Sequence, residues 1–325
     1  MNSAIRAAAF SFLLAWLALA APAAVAQPAY PAKPIRIVVG FAPGGGNDVL
    51  ARLLATRFQE AWGQPAVVDN KPGANGIIAT EFVAKSPGDG YTLLMSSSGG
   101  MTVNPLLYTK LPYEPLRDFA PISVMGLFPL VLAVHPSVPA SSVGDLVAHA
   151  KAHPGKLNYG SPSAPFQLAT ELFKQMAGID ATHVPYKGSG PAVAALLAGD
   201  VQMIIVDSPA LLPLIKAGKA RALAVTSARR VSLLPELPTI AEAGFPGYEM
   251  VLWVGLFAPA GTPREILSKL EAEVIRASQA PEIRQRMSAL GVEPAGSTAE
   301  QTATRIRDET ARYRAVARAA GMKPE

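Results

Sequence analysis

Short runs of apolar, β-branched residues alternate along this chain with segments whose apolar positions recur every three to four residues. The first pair is the clearest. Ile35-Arg36-Ile37-Val38-Val39 reads as a strand, and Val49, Leu50, Leu53, Leu54, Phe58 and Trp62 lie on one face of a helix. Between them runs Gly40-Phe41-Ala42-Pro43-Gly44-Gly45-Gly46, a glycine turn entering a helix N-terminus, with Asn47 or Asp48 as the expected cap. The first N–H groups of a helix lack intrahelical partners and carry partial positive charge, so such a turn can also hold a carboxylate, sulfate or phosphate.

The same alternation continues. Strands are predicted at 66–69, 91–95, 157–160, 183–186, 201–206, 221–226 and 250–258. Helices are predicted at 77–85, from Ser141 or Ser142 to Ala152, and at 166–177, 191–198 and 210–217. Further helices are expected from Pro263 onward, at 281–290 and at 298–319. Ile122–Val134 is a long apolar run interrupted by Gly126 and Pro129. Because proline does not sit centrally in a strand, it is read as two strands joined at a crossover. Strands spaced by helical segments predict βαβ units, an α/β class and mostly parallel sheets.

Ligands in such sheets sit beyond the carboxyl ends of strands. The loops at Gly44, Ser97, Ser161 and Asp207 all fall on that edge, and they come from two halves of the chain. The expectation is a cleft between two lobes, one built from residues 27–127 and 228–325, the other from 128–227.

The chemistry these loops offer is binding rather than turnover. Gly44, Gly45 and Gly46 are consecutive and no Gly-Lys-Ser/Thr follows, so neither dinucleotide nor Walker phosphate motif is present. His149 and His153 are four apart on one helix, but no third ligand accompanies them, and a solvated helix face is expected. The serine loop lacks a G-x-S-x-G elbow. Asp207 could act as a general base or cap the helix after Pro209. The loops are rich in Ser, Asn, Gly and backbone N–H groups and poor in Arg and His, which suits an anion held by neutral donors. The lack of Arg argues against a polyanion, and Phe41, Phe166 and Trp253 argue for an aromatic or mostly apolar monoacid.

Composition narrows the setting. Arg6, the apolar run Ala7–Ala21 and the small-x-small site Ala24-Val25-Ala26 form a signal-peptide pattern over Met1–Ala26. The chain has no Cys, so disulfides and an N-terminal lipid-modified cysteine are excluded. A formal charge of +5, spread along the chain, fits anionic solutes and does not form a nucleic-acid footprint. The expectation is a periplasmic protein with no second membrane-length apolar run, no cofactor and no metal.

A series of motifs runs through the mature chain: Tyr30-Pro31 to Pro34-Ile35, Phe41-Ala42-Pro43-Gly44-Gly45 to Asp48, and Asn70-Lys71-Pro72-Gly73-Ala74. Then come Pro87-Gly88-Asp89-Gly90-Tyr91-Thr92-Leu93, Asn104-Pro105, Asp118-Phe119-Ala120-Pro121 and Val184-Pro185-Tyr186-Lys187-Gly188. Lys216-Ala217-Gly218-Lys219, Arg221–Thr226, Pro238-Thr239 to Glu242-Ala243-Gly244, and Ala258–Pro263 complete the set. In this order they resemble the Bug-type solute-binding proteins of tripartite tricarboxylate transporters, over essentially the whole mature chain.

The resemblance implies a two-lobed periplasmic binding protein of type II that closes on a small organic acid and delivers it to a large and a small membrane subunit. It implies that the loops matching Phe41–Asp48 and Ser161–Gln167 hold a ligand carboxylate, partly through waters. Ser97 and Ser98 would face the cleft, and Asp207 would stand at its second-lobe edge. The residues expected at the ligand are thus Phe41, Pro43, Gly44, Gly45, Asn47, Asp48, Asn75, Ser97, Ser98, Ser161, Ser163, Phe166, Gln167 and Asp207. The second-lobe loop is shorter than in many members and has Gln167 where they carry His. Dicarboxylates, tricarboxylates and aromatic carboxylates are the candidate ligands, and a monomer is the expected state. Two rivals are a sensing module for a membrane signalling receptor and an exported hydrolase using Ser97 or Ser98.

Overall fold

The computed structural model describes residues 30–322 and 324, so the signal-peptide expectation for 1–26 lies outside the described residues. All the elements below belong to the compact unit Lys33–Glu325. β1 (Ile35–Val39) buries every side chain but Arg36. It lies between β2 (Ala66–Asn70) and β3 (Thr92–Ser97), parallel to both. That flanking is why its sequence is nearly all apolar. α1 (Gly46–Trp62) buries Leu50, Leu53, Leu54 and Phe58, while Trp62 stacks on Phe58 at 4.5 Å, and Gly63 in the left-handed region ends the helix. α2 (Ile77–Ala84) crosses from β2 to β3.

The run from Ile122 is not two strands. β4 is a single strand, Phe119–Val134, with register shifts between Pro121 and Ser123 and between Val124 and Gly126. Its first part, to Pro129, pairs antiparallel with β9 (Val251–Pro259). From Leu130 it pairs with β7 (Met203–Asp207) and β8 (Arg221–Val225) instead. Pro129 is tolerated because it stands where the strand exchanges partners. The Leu130 N–H beside it is taken by Thr226 Oγ1, and the Pro129 carbonyl accepts from Ser208 Oγ.

The second half of the sheet adds β5 (Asn158–Ser161) and β6 (Thr182–Pro185), with β7, β5 and β6 mutually parallel in that order. The whole runs β2-β1-β3-β9-β4-β7-β5-β6, with β8 and the short β10 (Glu293–Pro294) on β4. The outer strands of each half are therefore parallel, as the sequence predicts. The strands that link the halves, β4 and β9, are antiparallel.

Helices cover both halves: α3 (Val143–Ala152), α4 (Ala164–Ala177), α5 (Ser189–Ala198), α6 (Ser208–Lys216), α7 (Arg264–Gln279), α8 (Pro281–Ala289) and α9 (Ala299–Ala319). Ser142 caps α3 by accepting from the Asp145 N–H, and Thr298 with Gln301 forms a capping box on α9. One core packs Val38, Leu94, Tyr113, Phe119, Trp253 and Phe257. Two others lie on the faces of the second half-sheet. One of these takes in Ile240, Tyr248 and Met250, together with Tyr313 and Val316 of α9.

Candidate functional site

Four strand ends converge. β1 delivers the glycine loop, β3 delivers Ser97 and Ser98, β5 delivers Ser161–Phe166, and β7 delivers Asp207. Two adjoining cavities lie among them. The larger, of about 440 Å³, is lined by Gly44, Gly46, Asn47, Ser97, Phe128, Phe166, Asp207, Leu252, Trp253, Leu290 and Val292, among others. The smaller, of about 230 Å³, is lined by Phe41, Asn75, Ser97, Ser98, Gly99, Asn104, Ser163, Pro165 and Phe166, among others. Ser97, Phe166 and Leu252 belong to both, so they form the partition. A wider polar depression of about 740 Å³ runs along α9 past Glu249, Arg305 and Arg312, and none of these four loops reaches it.

The glycine loop is held from behind. Asp48 is buried and its carboxylate accepts from Gly44 N–H (2.9 Å), Arg52 Nε (2.9 Å), Arg52 Nη2 (3.0 Å) and Asn70 Nδ2 (3.0 Å). Burial alone would raise its pKa. The bonds from Arg52, Gly44 and Asn70 outweigh that and hold it below the ordinary aspartate value. Asn70 Nδ2 also donates to the Phe41 carbonyl. Asp48 thus acts as a strut that fixes the loop. Neither Asn47 nor Asp48 caps the helix, because the N-cap is Gly45 with extended backbone and no side-chain bond. A cap by Asp48 is precluded because its oxygens are committed to the loop.

The first intrahelical bond is from Val49 N–H to Gly45 O, which leaves the N–H groups of Gly46, Asn47 and Asp48 without intrahelical acceptors. Asn47 is 9% exposed and its Nδ2 has no hydrogen-bond partner, although it lines the larger cavity. Phe128 lies against the same turn, where a Cβ at Gly46 would stand 2.8 Å from its ring. Gly44 has φ +87°, which favours glycine there.

The strand β3 continues through Ser96 and Ser97, which pair with Gly255 and Val254, so these serines are strand residues rather than loop residues. A π-helical turn, Gly99–Val103, follows. Ser98 is buried and its hydroxyl accepts from Trp253 N–H at 3.3 Å. Trp253 is fully buried, and its indole N–H donates to Glu309 at 2.8 Å. Asn75 is exposed at φ +53°, and its amide donates to Tyr108 OH.

On the opposite side, Ser163 is the exposed N-cap of α4, with its hydroxyl free of the helix. Phe166 is half-buried on the partition, and Gln167 beside it is half-buried and lines neither cavity. Ser161 is buried, with its Oγ 2.6 Å from His183 Nε2. The His183 ring stacks on Tyr159 at 5.0 Å. Burial, with help from Lys174, pushes the His183 pKa down against the pull of Glu171. Glu171 itself bonds Tyr159 and Lys174. Asp207 Oδ1 accepts from Ser189 Oγ at 2.6 Å at the mouth of α6. His149 and His153 lie 4.6 Å apart on α3, and among the described residues no group of three potential metal ligands forms.

Phe41, Asn75, Ser97, Ser98, Ser163 and Phe166 therefore meet around one cavity, and Gly44, Asn47, Ser97, Phe166 and Asp207 around the other. Asp48, Ser161 and Gln167 stand behind these walls. Sequence reading missed Phe128, Leu252, Leu290 and Val292. They come from β4, β9 and the segment after α8, and only tertiary packing brings them here.

Residues 50–322 match the family described as the tripartite tricarboxylate transporter family receptor. This chain belongs to that family. It is 40% identical to protein BugT of Bordetella pertussis, over 99% of each chain. The solved structure of Rhodopseudomonas palustris Rpa4515 with adipate is 41% identical, with a TM-score of 0.77, covering 91% of this chain and 100% of the other. MatC from the same organism, with bound malate, is 31% identical with a TM-score of 0.71, covering 88% and 99%. The receptor is accordingly a solute-binding protein with the two-lobed binding fold, and not an enzyme. The hydrolase rival falls with it. Among the described residues His183 meets the buried Ser161 and His135 meets Ser137, and neither serine is Ser97 or Ser98.

Proposed function

We propose that this receptor works in the periplasm as a monomer. It captures a small organic carboxylate between its two halves and presents it to the large and small membrane subunits of a tripartite transporter. The leader pattern at Met1–Ala26 supports export. Adipate on Rpa4515 and malate on MatC support a carboxylate ligand. No described helix is long and apolar enough to cross a membrane, so the membrane step falls to partners. The observation that carries the reading is Asn47. Its buried, unpartnered amide stands with the open N–H groups of α1 at a cavity walled from both halves of the sheet.

Binding works by closure. The halves are joined where β4 changes partners at Pro129–Leu130 and where Met250, bonded to Thr226, leads into β9. A ligand touching both walls selects the closed arrangement in proportion to its extra contacts there. A thermal-shift series of carboxylic acids, each beside its primary amide, tests this. At a hundred times its dissociation constant an acid stabilises by roughly 2.7 kcal/mol, its amide does not, and Asn47→Ala shrinks the response. Equal stabilisation by acid and amide, or none by either, would overturn the reading.

A further inference from the structure

The two compartments carry very little charge. Among the described residues lining them, no Lys, Arg or His is present, and Asp207 is the single ionisable group. The larger compartment is walled by Phe128, Phe166, Leu252, Val254, Leu290 and Val292. Its unpartnered donors are at the α1 turn with Asn47. A second carboxylate in this compartment away from that turn would meet apolar side chains or the like charge of Asp207, and an unpaired charge in such a place is strongly disfavoured.

The smaller compartment adds no charged group, and its hydroxyls, on Ser97, Ser98 and Ser163, are neutral. Asn75 Nδ2 is committed to Tyr108, and Asn104 Nδ2 to the Asn75 carbonyl and Tyr113. Ser161, the hydroxyl that might have reached across from β5, is turned inward to His183. An apolar body has room: about 150 Å³ accepts a benzene ring, and the larger compartment offers about 440 Å³.

We infer that the ligand of this receptor is a monocarboxylate with an aromatic or compact alicyclic body, its charge at the α1 N-terminus and Asn47, its body in the larger compartment. This rests on the carboxylate-receptor reading above. Asp207 then sets selectivity by excluding diacids, and Leu290, 40% exposed, shapes the apolar wall.

The test is calorimetric titration of the full mature chain, stripped of bound ligand by unfolding and refolding. The probes are benzoate, phenylpropanoate and cyclohexanecarboxylate against adipate and citrate. The relative that holds adipate makes that diacid the sharpest comparator. At least one ring monoacid binds about tenfold or more tighter than adipate, and citrate is weaker still. Leu290→Lys, which places a cation at the exposed wall, weakens the ring acid and strengthens adipate. Asp207→Asn narrows the ratio between them. Adipate or citrate binding tighter than every ring acid overturns this inference and leaves the carboxylate-receptor reading standing. The absence of binding by any acid overturns both.

Discussion

Replacing Asp48 with Asn changes one atom of the side chain and should loosen the glycine loop from behind. In the parent each carboxylate oxygen accepts two bonds, Oδ2 from Gly44 and Arg52 Nε, Oδ1 from Arg52 Nη2 and Asn70. The amide must point its NH2 at one of these pairs, and in either orientation two donors then face a donor. Arg52 is exposed and can turn to water. The remaining donor, Gly44 N–H or Asn70 Nδ2, is part-buried and is left without its acceptor. Leaving a donor unmatched costs about 1–3 kcal/mol, and losing a charge-assisted bond brings the expected total to about 2–3 kcal/mol. For a chain of this size that lowers the melting temperature by roughly 3–5 °C.

The pH dependence of this effect follows from the direction of the Asp48 shift. Its folded pKa is depressed, so its contribution is present above the unfolded aspartate value of about 3.9 and is lost as pH falls through the folded value. Melting curves of parent and Asp48→Asn between pH 8 and pH 3 should show a full gap at neutral pH that closes below about pH 4. The variant should also lose about tenfold in acid affinity, because Gly44 is no longer held against the first turn of α1. A gap within about 1 °C at pH 7, or one that persists undiminished into the acid range, would refute the strut.

Other perturbations have defined outcomes. Gly40→Ala places a Cβ 2.7 Å from the backbone Cα of Gly76, so one of the two loops must shift. Denaturation should show a loss of about 1–3 kcal/mol, and an unchanged midpoint would contradict the packing. Glu309 is buried, and burial raises its pKa above the ordinary value despite Trp253 and Arg305. Its contribution to stability is therefore present below the unfolded glutamate value and lost as pH rises through the folded value. Glu309→Gln keeps an acceptor for Trp253, and its melting temperature relative to the parent should rise from acid to alkaline pH; a falling difference would argue against a buried acid. Phe166→Ala merges the two compartments and removes aromatic contact. Titration with whichever acid binds the parent should show about tenfold weaker binding with little change in melting temperature, since Phe166 is only half-buried.

Much of this was readable from the chain because it was local. The strand at 35–39, the α1 face and the polar strand ends carry their periodicity within a dozen residues. Two features were not legible for the same reason. Pro129 argues against a strand only if both neighbours need its missing N–H. The exchange of partners there, with Thr226 Oγ1 serving Leu130, is a property of distant segments. The α1 cap was misassigned because Asp48 has a stronger use in tying Gly44, Arg52 and Asn70 together. At the site, the donors were visible as loop residues. The apolar wall was not, because Phe128, Leu252, Leu290 and Val292 belong to elements whose own patterns are explained by core packing.

The position of Trp253 gives the molecule an optical handle. Of the two tryptophans among the described residues, Trp62 stacks on Phe58 at the far end of α1. The other, Trp253, borders the larger compartment, with its backbone N–H on Ser98 and its indole on a buried carboxylate. With its backbone tied to Ser98 and its indole N–H to Glu309 of α9, Trp253 should report occupancy of the compartment as a change of emission. The receptor can thus be titrated, and its closing timed by rapid mixing, without any label.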